Sequence, residues 1–183
     1  RSFIAERMTA SKQQIPHFYL RTEVLMENAA QLRTQAASRV TYTAMIVKAC
    51  AVALAAVPEA NVRYTSSGLV PFGSRAVGIA VDVPGGVLAP TLAEPENKSL
   101  AALTQEISDS AGRAREGRLR GAELSEKNIV VSNLGMHGID EFAAIIEPGS
   151  AMILAVGAVA ERAVAHAGAV VVAPTMVATL SVD

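Results

Sequence analysis

The chain has 183 residues, 51% hydrophobic but only 4% aromatic, with 16 basic and 17 acidic side chains and a net charge of −1. That length suits one domain with a sizeable core. The balanced charge leaves no basic footprint for nucleic acid, no run approaches the roughly 20 apolar residues of a membrane span, and the single Cys50 excludes an internal disulfide. Alanine and valine carry the apolar content, which exceeds that of an average soluble chain and is what extensive subunit contact would require. No signal peptide, low-complexity tract, internal repeat or linker is visible.

In chain order, residues 1–14 read as a helix with Phe3, Ile4 and Met8 on one side, stopped by Pro16. His17 to Val24 alternates as a strand. A helix follows over Met26 to Ala37. Thr41–Tyr42–Thr43 offers an N-cap to a strongly apolar helix that runs to Val57 and stops at Pro58. Val62 to Phe72 reads as a hairpin around Ser66–Ser67–Gly68. Val77 to Val83 is a strand, and Gly85–Gly86 returns the chain into a second one, Val87 to Leu92. Ser99 begins a helix running to Arg118. Ile129–Val130–Val131 is a short β-branched strand that ends in a loop carrying Ser132, Asn133, Gly135 and Gly138. Ala151 to Val159 is a buried strand. Ala167–Gly168 then turns the chain into the last strand, Ala169 to Val182, with His166 exposed beside the turn.

Several residues carry two readings each. A small hydroxyl at a strand end beside flexible backbone, as at Ser132, is either an ordinary turn residue or a hydrogen-bond donor to a site. Lys98 and Ser99 open a helix, where free N–H groups and the dipole favour anions, or they are a solvated lysine and a cap. His17 faces a channel or simply starts a strand. Cys50, in an apolar helical pattern, is a buried structural thiol or a catalytic one. A Ser132–His137 pairing is disfavoured by the short loop between them and by the lack of an orienting acid. No Cys/His cluster points to a metal, and no Gly-Lys-Ser/Thr completes a phosphate loop.

Ser132–Asn133–Leu134–Gly135–Met136–His137–Gly138–Ile139 resembles the S-N-L-G-M-x-G-I segment of the dihydrolipoamide acyltransferases, the core components of the 2-oxo acid dehydrogenase complexes. The resemblance runs through the chain: Arg1-x-x-Ile4-Ala5-x-x-Met8, Ile15–Pro16–His17–Phe18, Pro58-x-x-Asn61, Gly85–Gly86–Val87–Leu88–Ala89–Pro90, Lys98–Ser99–Leu100, Ala114–Arg115–Glu116–Gly117 and Met176-x-x-Thr179–Leu180–Ser181–Val182–Asp183. It implies an α/β chloramphenicol acetyltransferase-like two-layer sandwich, a mixed sheet with helices, assembled as trimers with the active site between subunits.

The implied reaction is acyl transfer between dihydrolipoamide and coenzyme A, with Ser132 as oxyanion donor and with Lys98, Ser99 and Asn133 touching the coenzyme. Implied partners are a homotrimer or larger cage, the decarboxylase and dihydrolipoamide dehydrogenase, with no nucleic acid and no membrane. The bacterial cytoplasm is expected ahead of the mitochondrial matrix or plastid. The family's H-R-x-x-x-D-G motif would begin directly after Asp183, and its lipoyl and peripheral subunit-binding domains lie upstream. Residues 1–183 are therefore expected to be the catalytic domain shortened at both ends, binding coenzyme A weakly and scarcely active. A non-catalytic core subunit and an antibiotic-type acetyltransferase of the same fold are the alternatives, the latter disfavoured by the absence of Trp.

Overall fold

A computed structural model describes residues 2–183, with side chains from Ile4 onward, so the expected placement of Phe3 lies outside the described side chains. Helix α1 spans Ser2–Gln14, β1 Phe18–Leu25, α2 Glu27–Gln35 and α3 Tyr42–Ala56. Thr41 caps α3 as its sequence suggests, its hydroxyl accepting the Ala44 N–H at 3.2 Å. Strands β2 (Val62–Thr65) and β3 (Gly68–Pro71) form the expected hairpin. Then come β4 (Val77–Ile79), β5 (Val81–Val83), β6 (Gly86–Leu88) and β7 (Thr91–Leu92). Helix α4 covers Leu100–Arg115, followed by β8 (Ile129–Asn133), β9 (Met152–Val156), β10 (Ala160–His166) and β11 (Ala169–Val182).

Seven strands make the main sheet, in the order β1-β11-β9-β8-β4-β7 with β10 also paired to β11. The β4·β8 and β8·β9 pairs are parallel and the remainder antiparallel, so the sheet is mixed. Strand alternation sorts the side chains. Ile129, Val131, Met152 and Val156 join Val47, Leu54 and Leu103 of α3 and α4 in the principal core. Val130 and Ile153 point the other way and pack with Ile146 in a smaller cluster.

Four expectations are corrected. Val77–Val83 is two strands: at Ala80 the chain leaves the main sheet, and β5 pairs only with β6. Ala80 makes the last bond to the main sheet, N–H to the Val131 carbonyl at 2.9 Å, and Pro84–Gly85 is the two-residue turn that folds β5 onto β6. The α4 helix stops at Arg115 rather than Arg118, because Gly117 at φ 68 is left-handed. Strand β9 ends at Val156 rather than Val159. Strand β10 was not expected at all: Ala160–His166 is too weakly apolar to announce itself, and pairing with β11 makes it a strand.

Candidate active site

Ser132 lies inside β8 rather than in the loop after it, because parallel pairing carries the strand two residues further, with Ser132 opposite Ala155 and Asn133 opposite Val156. Asn133 Nδ2 donates to Thr43 Oγ1 of α3 at 3.0 Å, so Asn133 points into the helix layer. Alternation then turns Ser132 to the opposite face, with Val130. The row continues across the sheet through Ala155 and Thr179 to Arg21. Ser132 is half-buried, and its hydroxyl makes no hydrogen bond among the described residues.

The loop beyond is held tightly. Asn133 Oδ1 accepts the Gly135 N–H at 2.8 Å. A Cβ on Gly135 would lie 2.5 Å from the Gly157 carbonyl oxygen, and one on Gly157 would lie 1.8 Å from that of Asp140, so both positions require glycine for backbone to pass backbone. The far end of the loop is pinned by Arg162 on Asp140 (2.6 Å) and by Arg21 Nε on Glu141 (2.6 Å). Ser132 therefore stands beside a rigid turn.

Among the histidines, His17 is fully engaged: Nδ1 donates to the Ile15 carbonyl at 2.8 Å and Nε2 accepts the Ile146 N–H at 3.0 Å. It fastens α1 to the 139–148 loop and has no free nitrogen for proton transfer. His137 is exposed in the turn, and His166 is exposed at the β10–β11 tip as expected. Cys50 is buried in α3, and that burial pushes its thiol up to about 12, which leaves no thiolate near neutral pH and removes the catalytic reading.

Lys98 and Ser99 stand at the start of α4 as read from sequence. Ser99 Oγ accepts the Ala102 N–H at 3.2 Å, a cap. Lys98 Nζ is bound to both carboxylate oxygens of Glu106, at 2.8 and 2.7 Å, so an anion here competes with a carboxylate. Sequence reasoning missed Lys48 of α3, whose ammonium donates to the Glu96 carbonyl at 3.0 Å and to that of Lys98. It also missed a cleft of about 280 Å³ between the start of α3 and the first half of α4, lined mainly by polar residues, among them Arg39, Thr41, Thr43, Thr104 and Gln105, with Ile107 beside them. Thr43 belongs to this cleft and to the Asn133 hydrogen bond, so the cleft wall and the serine strand are joined. The capping Thr41 with Thr43 two residues on was the available signal. Among the described residues, no group of three or more His, Cys, Asp or Glu is placed to hold a metal ion.

Strand order and helix placement define a chloramphenicol acetyltransferase-like α/β fold. A solved chloramphenicol acetyltransferase matches with TM-score 0.55 over 97% of this chain and 84% of its own at 14% identity, which shows the fold alone. All of residues 1–183 match the family described as 2-oxoacid dehydrogenases acyltransferase (catalytic domain), and the chain belongs to that family. It is 40% identical over 194 residues to the dihydrolipoyllysine-residue acetyltransferase component of the pyruvate dehydrogenase complex of Rhizobium meliloti, covering 100% of this chain and 43% of that protein. The component of the same name from Zymomonas mobilis is 37% identical, with 100% and 43% covered. The chain thus spans less than half the length of these relatives. The dihydrolipoamide acetyltransferase of Azotobacter vinelandii, solved in work on the role of a serine, a histidine and an asparagine in its catalytic mechanism, matches with TM-score 0.92 at 25% identity over 100% of this chain and 79% of its own. The cubic core of the pyruvate dehydrogenase multienzyme complex matches at TM-score 0.91 and 25% identity, with the same coverage.

Proposed function

We propose that residues 1–183 form the catalytic domain of an acyltransferase that moves an acyl group between dihydrolipoamide and coenzyme A, as the core component of a 2-oxo acid dehydrogenase complex. The observation that carries this is Ser132: a half-buried hydroxyl with no protein partner among the described residues, at the carboxyl end of a parallel strand. A base takes the proton from one thiol. The thiolate attacks the acyl thioester carbonyl, and the Ser132 O–H donates to the tetrahedral oxyanion. Collapse expels the second thiolate, which recovers the proton from the base. His17 has no free nitrogen, and His137 and His166 are exposed. The reading therefore takes its base from the family's H-R-x-x-x-D-G motif, donated by a neighbouring subunit. A serine and a histidine also figure in the catalytic mechanism of the Azotobacter acetyltransferase, in keeping with a site built on these two residue types.

The α3–α4 cleft takes a phosphate-bearing part of coenzyme A, where Arg39 supplies charge for phosphate and the hydroxyls and amide supply hydrogen bonds. Lys98 and Ser99 extend this surface once Lys98 exchanges Glu106 for the ligand. Asn133 acts as a positioning residue, tying the cleft wall at Thr43 to the serine strand. The lipoyl group arrives on a separate domain. Trimers, and a cage like the cubic core, cover the apolar edge strand β1, and the decarboxylase and dihydrolipoamide dehydrogenase complete the cycle. The bacterial relatives favour the bacterial cytoplasm.

The test is Ser132→Ala in a chain that includes the H-R-x-x-x-D-G segment. Loss of one oxyanion donor lowers kcat by about 10²–10³ with little change in KM. A loss under about threefold overturns the role.

A further inference from the structure

A cavity of about 520 Å³ lies on the face of the sheet opposite α3 and α4. Its floor is Val130 and Ile153, partners in the β8·β9 register. Its roof is Ile4 and Met8 of α1, and its wall is the β5–β6 hairpin at Val87 and Leu88. Helix α1 sits directly on that hairpin: a Cβ on Gly86 would lie 1.9 Å from Ile4 Cδ1. The two charged residues at the margin are turned to partners of their own, Arg7 to the Pro148 carbonyl at 3.4 Å and Glu147 to Lys127 at 3.1 Å. Apart from these two, the side chains lining the cavity are apolar.

Two observations connect this cavity to Ser132. Val130 and Ser132 are two residues apart on one strand, so they share a face and lie about 6.6 Å from each other along it. Ala80, which also lines the cavity, is bonded through its N–H to the Val131 carbonyl at 2.9 Å, immediately beside Ser132. The polar cleft suited to the coenzyme lies on the helix side of the sheet, and the apolar cavity lies on the other. Ser132 stands between the two: its neighbour Asn133 is bonded to Thr43 of the cleft wall, and Val130, two residues back, forms the cavity floor.

We propose that this cavity is the acyl-chain subsite of the transfer site and that it takes linear or branched acyl groups larger than acetyl. The assignment rests on the reading of Ser132 as the oxyanion donor. An acetyl group leaves nearly all of the space unused, whereas each further buried methylene gains free energy.

Isothermal titration of the protein with acetyl-CoA and with hexanoyl-CoA tests it. Hexanoyl-CoA is expected to bind at least about tenfold more tightly, the equivalent of two of its four extra methylenes being buried. Met8→Trp fills the roof and brings the ratio toward one, with a melting curve to show that the variant is folded. Leu88→Trp fills the same space from the hairpin and gives the same reading if Met8→Trp does not fold. Equal affinities for the two esters overturn the subsite and leave the Ser132 reading standing. A hexanoyl preference that both tryptophan variants leave intact places the chain elsewhere and also overturns it. Binding of neither ester overturns the reading of the site and the subsite with it.

Discussion

Strands β8 and β1 are both rich in apolar residues and meet opposite fates. In β8, Ile129, Val130 and Val131 are 5%, 1% and 1% exposed, because β4 and β9 flank the strand and both faces are covered. In β1, Phe18, Tyr19 and Leu20 are 60%, 42% and 51% exposed, because β11 is the strand's single partner and little covers its faces. The β10–β11 arm repeats this pattern at Val170 and Val172. The centre thus completes its burial within one chain, while the edge leaves apolar surface exposed. An apolar edge strand with one side unpaired favours association.

The largest expected effect is at the centre. Leu103 is fully buried between α4 and the sheet, so Leu103→Ala should cost about 2–5 kcal/mol in chemical denaturation. The edge should behave in reverse. Phe18→Ser with Leu20→Ser should shift sedimentation from trimers or larger toward monomers at micromolar concentration, while dilute-protomer stability changes by only about 0.5 kcal/mol per site. A double variant that unfolds the protomer as severely as Leu103→Ala would show that β1 belongs to the core, and a parent that sediments as a stable monomer would remove the need for a partner.

Two ion pairs sharpen the same contrast at smaller scale. Near α4, Glu123 accepts hydrogen bonds from Arg113, Ser110 and the Arg120 N–H, and these, Arg113 foremost, hold its carboxyl down at about 2 against an ordinary 4.5. A carboxylate lowered in the folded state contributes stability that is complete above the unfolded value and lost as pH falls through the folded one. Glu123→Gln should therefore melt below the parent at pH 7, with the gap closing between pH 4.5 and about 2. Glu141, paired with Arg21 at the edge, is about half exposed, and Glu141→Gln should move the melting point little at pH 7. Equal losses from the two would erase the distinction between centre and edge.

Much of this was legible in the sequence. Thr41 and Ser99 mark the starts of α3 and α4, and the β-branched run of β8 and the hairpin at Gly68 read directly from local preference. Those are short-range effects, and every residue involved lies within a few positions of its partner. The site was legible only in part. Ser132 could be singled out, but the face to which it points could not, since that depends on a register with Ala155 that lies 23 positions away. Lys98 looked like a free cation until Glu106 was folded back upon it.

By itself the sequence determined the element types, the caps, the family pattern and the excess of apolar surface, because propensity, capping and composition act locally or in aggregate. Tertiary structure alone decided that Val77–Val83 would split between two sheets and that Ala160–His166 would become a strand. It also decided that His17 would spend both ring nitrogens on backbone, and that a polar cleft and an apolar cavity would open on opposite sides of the serine strand. Each of these outcomes depends on which distant segment pairs with or covers which, and that is settled by the whole chain's burial and hydrogen bonding together.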